Sequence, residues 1–340
     1  MKKNIIKKGL IFVTVSLLIS TSSLSVSAEA SYKKENQDII PLLSPGDYFR
    51  FMIHDFRLRT YRMHIPSCYT GDEPLPIILV LHGHPSNSKM MQLGVELDEK
   101  ADEEGFIVVY PDGEKAPCPL FMFALLMMLQ RGCWWNAWDY NKINRVDDVD
   151  FIRELINKLQ ENININTSRI YITGISGGAL MTYRLGAELS DIVAAIAPVA
   201  GTVGGIWFNQ PNDSAPYIIP EPSNPVPTVI FHGLEDRNVP YEGGWIEGKL
   251  GPIPFSVYYL SVNESVSFWV DHNNCNPEPE VNVSGNIIKT TYADGDDDSE
   301  VVLYTVIDGG HEWFGSSFFP DRHFSINDNM WDFFEKHPKI

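Results

Sequence analysis

Between Ile170 and Met181 an apolar, β-branched run, Ile170-Tyr171-Ile172-Thr173, passes through Gly174-Ile175-Ser176-Gly177-Gly178 into the helix-compatible Ala179-Leu180-Met181. A strand that turns directly into a helix around G-x-S-x-G needs a sheet on one side and a packed helix on the other, and it leaves the serine on a tight turn. Gly174 and Gly178 have no side chains to clash where the helix folds back close to the strand. Ser176 is therefore a candidate nucleophile. The N–H of Gly177 falls at the first helical turn, where backbone donors are unpaired and the macrodipole favours negative charge, so it is a candidate oxyanion donor. The pentapeptide alone is also what a plain small-residue turn would contain, and its meaning depends on partners elsewhere.

The rest of the chain alternates in the way such a turn requires. Tyr48–Phe56 and Arg57–Ile65 read as a hairpin, and Ile77–Leu81 is a continuous apolar run suited to a strand buried on both faces. Residues 88–104 suit a helix ending at Gly105, and Phe106–Tyr110 a strand closed by Pro111-Asp112-Gly113. Asp147-Asp148 can cap a helix that carries Val149, Ile152, Leu155, Ile156 and Leu159 on one face. Ile192–Val199 and Val226–Phe231 are further buried strands, Ser265–His272 a helix, Val281–Tyr292 with Val301–Val306 a terminal pair of strands, and Ile326–Glu335 a closing helix. The pattern predicts an α/β fold, with a mostly parallel central sheet and helices on both faces. No linker or internal repeat divides it, so residues 45–338 are expected to form one catalytic-sized domain.

The first residues hold Lys2, Lys3, Lys7 and Lys8, an apolar run from Leu10 to Ile19, and small residues ending Val26-Ser27-Ala28. This is the pattern of a secretory signal over 1–28, cut after Ala28 or Ala30 and too short in its apolar part to span a bilayer, with 29–44 as a flexible leader. Cleavage removes four lysines and no acid, taking the formal charge from −18 to −22. Such a field argues against nucleic acid, anionic lipid and polyanionic substrates. A secreted, extracellular chain without a stable membrane anchor is expected, acting on a neutral or weakly charged substrate.

Four cysteines in an exported chain, Cys68, Cys118, Cys133 and Cys275, suggest two disulfides with three possible connectivities. The pairing favoured is Cys118–Cys133 with Cys68–Cys275, the first closing an inserted loop and contributing on the order of 3 kcal/mol. That loop, at about 115–133, contains the apolar run Pro119–Leu129. It reads as a buried core helix or as a lid or adsorption surface for an apolar substrate. Asp294–Glu300 clusters carboxylates but lacks the sixth-position glycine of an EF-hand loop, so a solvated hairpin turn is expected and no metal site is assigned.

A nucleophilic serine needs a base, and the base an orienting acid. His311 follows Asp308-Gly309-Gly310 after the last apolar strand, where a sheet's final carboxyl end would present it. Asp236 lies in the polar turn after Phe231-His232-Gly233, with Glu235 as the competing carboxylate. The order Ser176, Asp236, His311 is that of the α/β-hydrolases. A second oxyanion donor should come from the loop after Leu81. Pro85 has no N–H, which leaves His84 and Gly83, with His84 preferred. Trp135 and Trp313 are candidates for lining a substrate pocket, Trp313 because it lies close to the base in sequence.

Taken together, His82-Gly83, Tyr110-Pro111-Asp112-Gly113, Trp135-Asn136, Asp147-Asp148-Val149, Gly174-Ile175-Ser176-Gly177-Gly178, Ala197-Pro198-Val199-Ala200-Gly201, His232-Gly233, Asp236, Val239-Pro240-Tyr241 and Gly310-His311-Glu312-Trp313 resemble the polyhydroxybutyrate depolymerase and feruloyl esterase family of α/β-hydrolases. The resemblance spans nearly the whole mature chain, in order. It implies an α/β-hydrolase fold and a serine esterase that uses Ser176, Asp236 and His311 with no metal or cofactor. The substrates implied are a hydroxyalkanoate oligomer or a plant cell-wall feruloyl ester. The chain departs from the family in having His84-Pro85 where a glycine-rich oxyanion loop is usual, and in the size of the apolar insertion. The competing readings are a serine peptidase of the same fold and a non-catalytic α/β-hydrolase binding module.

Overall fold

The computed structural model describes residues 43–114, 134–138, 146–206, 214–250, 253–316 and 324–340. The expected export signal, the leader up to residue 42 and the apolar insertion, with Cys118 and Cys133, lie outside these residues. Two strands, β1 (Gly46–His54) and β2 (Arg57–Ile65), form the expected antiparallel hairpin. There follow β3 (Leu75–Leu81), α1 (Ser88–Val95), α2 (Leu97–Glu104), β4 (Ile107–Pro111), α3 (Asp148–Asn162), β5 (Ile165–Ile175), α4 (Gly177–Glu188), β6 (Ala195–Val199), β7 (Gly204–Ile206) and β8 (Tyr217–Ile218). The chain continues with β9 (Thr228–Gly233), β10 (Gly244–Leu250), β11 (Ile253–Tyr259), α5 (Val262–His272), β12 (Glu280–Ser284), β13 (Ile287–Tyr292), β14 (Val301–Val306) and α6 (Ile326–Lys336).

Ten strands form one sheet in the order β1-β2-β4-β3-β5-β6-β9-β14-β13-β12. The six from β4 to β14 run parallel, and antiparallel hairpins finish both edges. Successive side chains of a strand point to opposite faces, which sorts the core into two layers. Ile77, Leu79 and Leu81 of β3 pack with Phe151, Leu155, Leu180 and Trp269 from α3, α4 and α5. Ile78 and Val80 pack on the other face with Met91, Leu97 and Phe334 from α1, α2 and α6. Each such side chain taken from water contributes about 1.5–3 kcal/mol, which is why these runs tolerate no polar residue.

Several elements differ from the expectation. Residues 88–104 form two helices, because buried Met91 and Val95 are followed by buried Leu97 and Ala101 out of helical phase. The backbone changes direction at Glu96, in the left-handed region at φ 54°. The segment from Val281 to Tyr292 is itself a hairpin, turning at Gly285 with φ 61°, so that β13 and not a longer strand pairs with β14. Strand β6 begins at Ala195, after a turn through Ile192. A second, four-stranded sheet, β10-β11-β7-β8, was not anticipated; it is inserted after the carboxyl ends of β6 and β9.

The pairing Cys68–Cys275 is also corrected, since both thiols are free. Cys68 follows β2 and touches Gly105 before β4, whereas Cys275 follows α5 and lies against the Ser299 carbonyl just before β14. Five strand spacings separate β4 from β14, roughly 24 Å at about 4.8 Å each, against the roughly 7 Å limit for a disulfide. Burial pushes the Cys275 thiol up to about 11, which leaves it unreactive.

Candidate active site

Strand β5 ends in the turn that carries Ser176. A Cβ on Gly174 would lie 2.8 Å from the Gly178 carbonyl carbon and oxygen, and one on Gly178 would enter the Leu81 carbonyl, so neither position accepts a side chain. The turn holds Ser176 at φ 57° and ψ −122°, a conformation that costs about 1–3 kcal/mol for a residue with a Cβ. It is held by the Ser176 N–H donating to Val199 O at 3.0 Å and by Leu180 N–H donating to Ser176 O at 3.0 Å. The hydroxyl does not cap α4.

Main-chain bonds tie the neighbouring strand ends to this turn. Ala200 donates to Phe231 O at 2.9 Å, Leu234 to Val306 O at 2.9 Å and Glu235 to Gly309 O at 2.8 Å. The loops after β9 and β14 are thereby drawn together, and a Cβ on Gly233 would enter the carbonyls of Gly309 and Gly310. On this rim His311 Nδ1 donates to Asp236 Oδ2 at 2.7 Å. Asp236 Oδ1 accepts from the N–H groups of Asn238 at 2.8 Å and Val239 at 2.9 Å. Burial pushes this carboxyl up, but the His311 bond and charge, His232 and the Val239 amide outweigh it and hold Asp236 below the usual carboxylate range. Glu235, the competing acid, is exposed. Asp236 and His311 are thus joined, with Ser176 on the same carboxyl rim. Among the described residues no hydrogen bond runs from Ser176 Oγ to His311. Such contacts commonly tighten only with substrate bound.

The loop after β3 lies against the first turn of α4. A Cβ on Gly83 would sit 3.3 Å from Ser176 Cβ, and one on Gly177 would enter the His84 ring. His82 Nε2 accepts from Gly113 N–H at 3.0 Å while its Nδ1 donates to Gly83 O at 2.8 Å, so this imidazole is neutral. His84 Nε2 accepts from Trp135 N–H at 2.8 Å. Burial lowers both histidines, and His84, with His82 beside it, is pushed down to about 3.

Beneath this loop lies a buried polar cluster. Arg59 Nη2 donates to Asp148 Oδ1 at 2.6 Å and to Asp112 O at 3.1 Å, and its guanidinium lies 3.6 Å over the Phe151 ring. Asp148 also accepts from Asn136 N–H at 2.8 Å, and Asp112 from Thr60 Oγ1 at 2.6 Å and Ser88 N–H at 2.7 Å. The cluster joins the start of α1, the start of α3 and the 134–138 segment that carries the partner of His84. Asp147, as expected, caps α3 by accepting from Asp150 N–H at 2.9 Å.

The two tryptophans expected in a pocket are placed otherwise. Trp135 is fully buried and donates from Nε1 to His82 O at 2.9 Å, so it supports the loop from below. Trp313 is packed among Phe314, Met330 and Trp331 and donates to Asn327 Oδ1 at 2.9 Å. Both carry an N–H that needs an internal acceptor once the ring is buried, and each has one. A further aromatic pair is Trp138 and Tyr259, edge to face at 5.6 Å. Burial and the charge of Asp236 push the Tyr259 phenol up to about 12. Tyr259 stands in no motif, and nothing in the sequence singled it out. His232, against Asp236, was visible only as half of a His-Gly pair.

No family model matches the chain. In sequence it is 28% identical over 249 residues to feruloyl esterase B of Piromyces equi, covering 72% of this chain and 41% of that protein. The chain therefore spans less than half the length of that relative. It is 22% identical over 326 residues to poly(3-hydroxyalkanoate) depolymerase C of Paucimonas lemoignei, covering 91% of this chain and 67% of the other. In structure it is similar to the acetyl xylan esterase from Aspergillus awamori, with a TM-score of 0.51 and 14% identity over 85% of this chain and 99% of that one. The fold is the α/β-hydrolase fold, and the relatives are of the kinds that the motifs resemble.

Proposed function

We propose that this chain is a secreted serine esterase that cleaves carboxylic esters through an acyl-enzyme, with Ser176 as nucleophile, His311 as base and Asp236 as orienting acid. The observation that carries the reading is the 2.7 Å bond between His311 and a buried, ionised Asp236 on the rim that also holds the strained Ser176. Asp236 accepts from Nδ1, which leaves Nε2 of the neutral ring as the basic nitrogen. As Ser176 Oγ bonds to the ester carbonyl carbon, its proton passes to Nε2 and the carbonyl electrons move to the oxygen. That oxygen is held by the Gly177 N–H at the α4 terminus and by the His84 main-chain N–H, each such donor being worth about 3–4 kcal/mol in the transition state. The bond from His82 to Gly83 O supports the second assignment, since it fixes the peptide plane from which the His84 N–H projects on the opposite side. The C–O bond to the alcohol then breaks and the alcohol leaves with the proton from His311. Water, deprotonated by His311, releases the acid and restores Ser176.

The named relatives point to hydroxyalkanoate oligomers or feruloyl esters as substrates, both of which suit a strongly acidic protein better than a polyanion does. A fluorophosphonate probe should label the wild type and not Ser176→Ala. Turnover of p-nitrophenyl acetate, methyl ferulate and hydroxybutyrate oligomers, measured side by side, identifies the acyl class. Asp236→Asn should cost far more than Glu235→Gln. Retained turnover in Ser176→Ala refutes the assignment. For export, the mature protein should begin after Ala28 or Ala30.

A further inference from the structure

The imidazole of His232, at the end of β9, is fully buried and uses its two nitrogens unequally. Nε2 lies 2.9 Å from Val239 O and 3.4 Å from Asp236 Oδ2, the same carboxylate oxygen that accepts from His311. A carbonyl only accepts, so the hydrogen is on Nε2. Nδ1 is buried with no hydrogen-bond partner among the described residues. A second proton there would bury an N–H without an acceptor, at a cost of about 1–3 kcal/mol before the charge is counted. The groups facing this ring are Asp236, His311 and the edge-on ring of Tyr241, whose hydroxyl is 3.0 Å from Thr305 Oγ1 on the paired strand. The charge of the same carboxylate also acts on the Tyr259 phenol.

We propose that His232 is a positioning residue for the acid–base pair: its Nε2–H, donated to Val239 O, anchors the 236–239 turn whose amides hold Asp236 Oδ1, and the same permanently neutral N–H, 3.4 Å from Oδ2, sets a dipole beside the carboxylate charge. The proposal rests on the triad reading above. Deleting the donor concentrates the charge of Asp236 on His311 and favours the imidazolium, so the acid side of the activity profile moves up in pH. It also frees the carboxylate to rotate, which lowers kcat more than it changes KM, because ester binding does not use Asp236.

The test compares His232→Gln, whose amide nitrogen can reach the Nε2 position, with His232→Leu, which has no donor. In His232→Leu the acid limb of kcat/KM should rise by about half a pH unit and kcat should fall roughly tenfold, with KM within about twofold. His232→Gln should restore most of both. Equal profiles and equal kcat in the two variants would overturn the proposal. A measurement on the wild type covers the case in which either variant fails to fold. Nitrogen-15 NMR of the full chain should show the His232 ring in one neutral tautomer from pH 8 to pH 5, and titration within that range would overturn the proposal. Absence of fluorophosphonate labelling in the wild type would instead defeat the esterase reading, and the NMR result does not depend on it.

Discussion

Acid should weaken this fold well before its carboxylates are protonated. His84 accepts the Trp135 N–H on Nε2, and its folded value is pushed down to about 3, against about 6.5 in the unfolded chain. The folded value lies below the unfolded one. Above pH 6.5 both states carry a neutral ring and the group contributes nothing. As pH falls through 6.5 the unfolded chain takes up a proton that the folded chain refuses, and stability declines until the folded ring titrates near 3. At pH 5 the unfolded state has gained RT ln(1 + 10^1.5), about 2 kcal/mol, from this one residue. His82 and His232 act in the same direction, because burial lowers both. Asp236 does not enter this window. Its folded value is below the ordinary carboxylate one, so its contribution is intact above that value and lost only in stronger acid. Urea unfolding followed by tryptophan fluorescence at pH 7, 6 and 5 measures the sum, and the midpoint should fall at each step. In His84→Asn the loss between pH 7 and pH 5 should shrink by about 2 kcal/mol. A midpoint unchanged from pH 7 to pH 5, or a His84→Asn protein with the wild-type pH dependence, would refute the reasoning.

Gly177→Ala drives a methyl group into the His84 ring and should cost about 1–3 kcal/mol of stability, with a loss of kcat as the proposed oxyanion loop shifts; thermal unfolding and p-nitrophenyl acetate turnover check the two effects. Asp148→Asn leaves the Arg59 guanidinium buried without a countercharge, both side chains being only 1% exposed, and should cost about 3–5 kcal/mol by urea unfolding. Iodoacetamide should modify exposed Cys68 in the native, unreduced protein and buried Cys275 only after unfolding. A Cys68–Cys275 peptide in a non-reducing digest would contradict the placement of these thiols on opposite sides of four intervening strands.

What could be read before any coordinates were those features written in one short segment. The alternation of Ile77–Leu81 with helical stretches gives a parallel sheet, and Gly174 to Gly178 gives the turn, because both depend on neighbours in sequence. The four-stranded second sheet could not be read. Its β7 and β8 strands are three and two residues long and pair across long sequence separations, too short to carry a period. The roles of Trp135 and Trp313 failed for a related reason. Tryptophan suits a pocket wall and a core equally, and only the acceptors at His82 O and Asn327 Oδ1 decide. The Cys68–Cys275 pairing failed because composition counts thiols and says nothing of the strands between them.

The two His-Gly turns, at 82–83 and 232–233, solve one physical problem in two places. A buried strand that ends at this rim leaves main-chain groups without ladder partners, and they must be met without adding a charge that would disturb the proposed triad. A neutral imidazole offers one donor and one acceptor at fixed geometry, which neither an aliphatic nor an ionised side chain does. His82 uses both, on Gly83 O and Gly113 N, and holds the loop that reaches the α4 terminus. His232 uses one, on Val239 O, and its Nε2 lies 3.4 Å from Asp236 Oδ2. The glycine that follows each lets the next loop approach: Ile175 and Ser176 at Gly83, and Gly309 and Gly310 at Gly233. The placement of the three residues proposed as nucleophile, base and acid therefore depends on backbone packing at these two turns as well as on the side chains themselves. His311, whose side chain is 17% exposed, remains open to solvent, as the proposed role of a hydrolytic base requires for proton exchange.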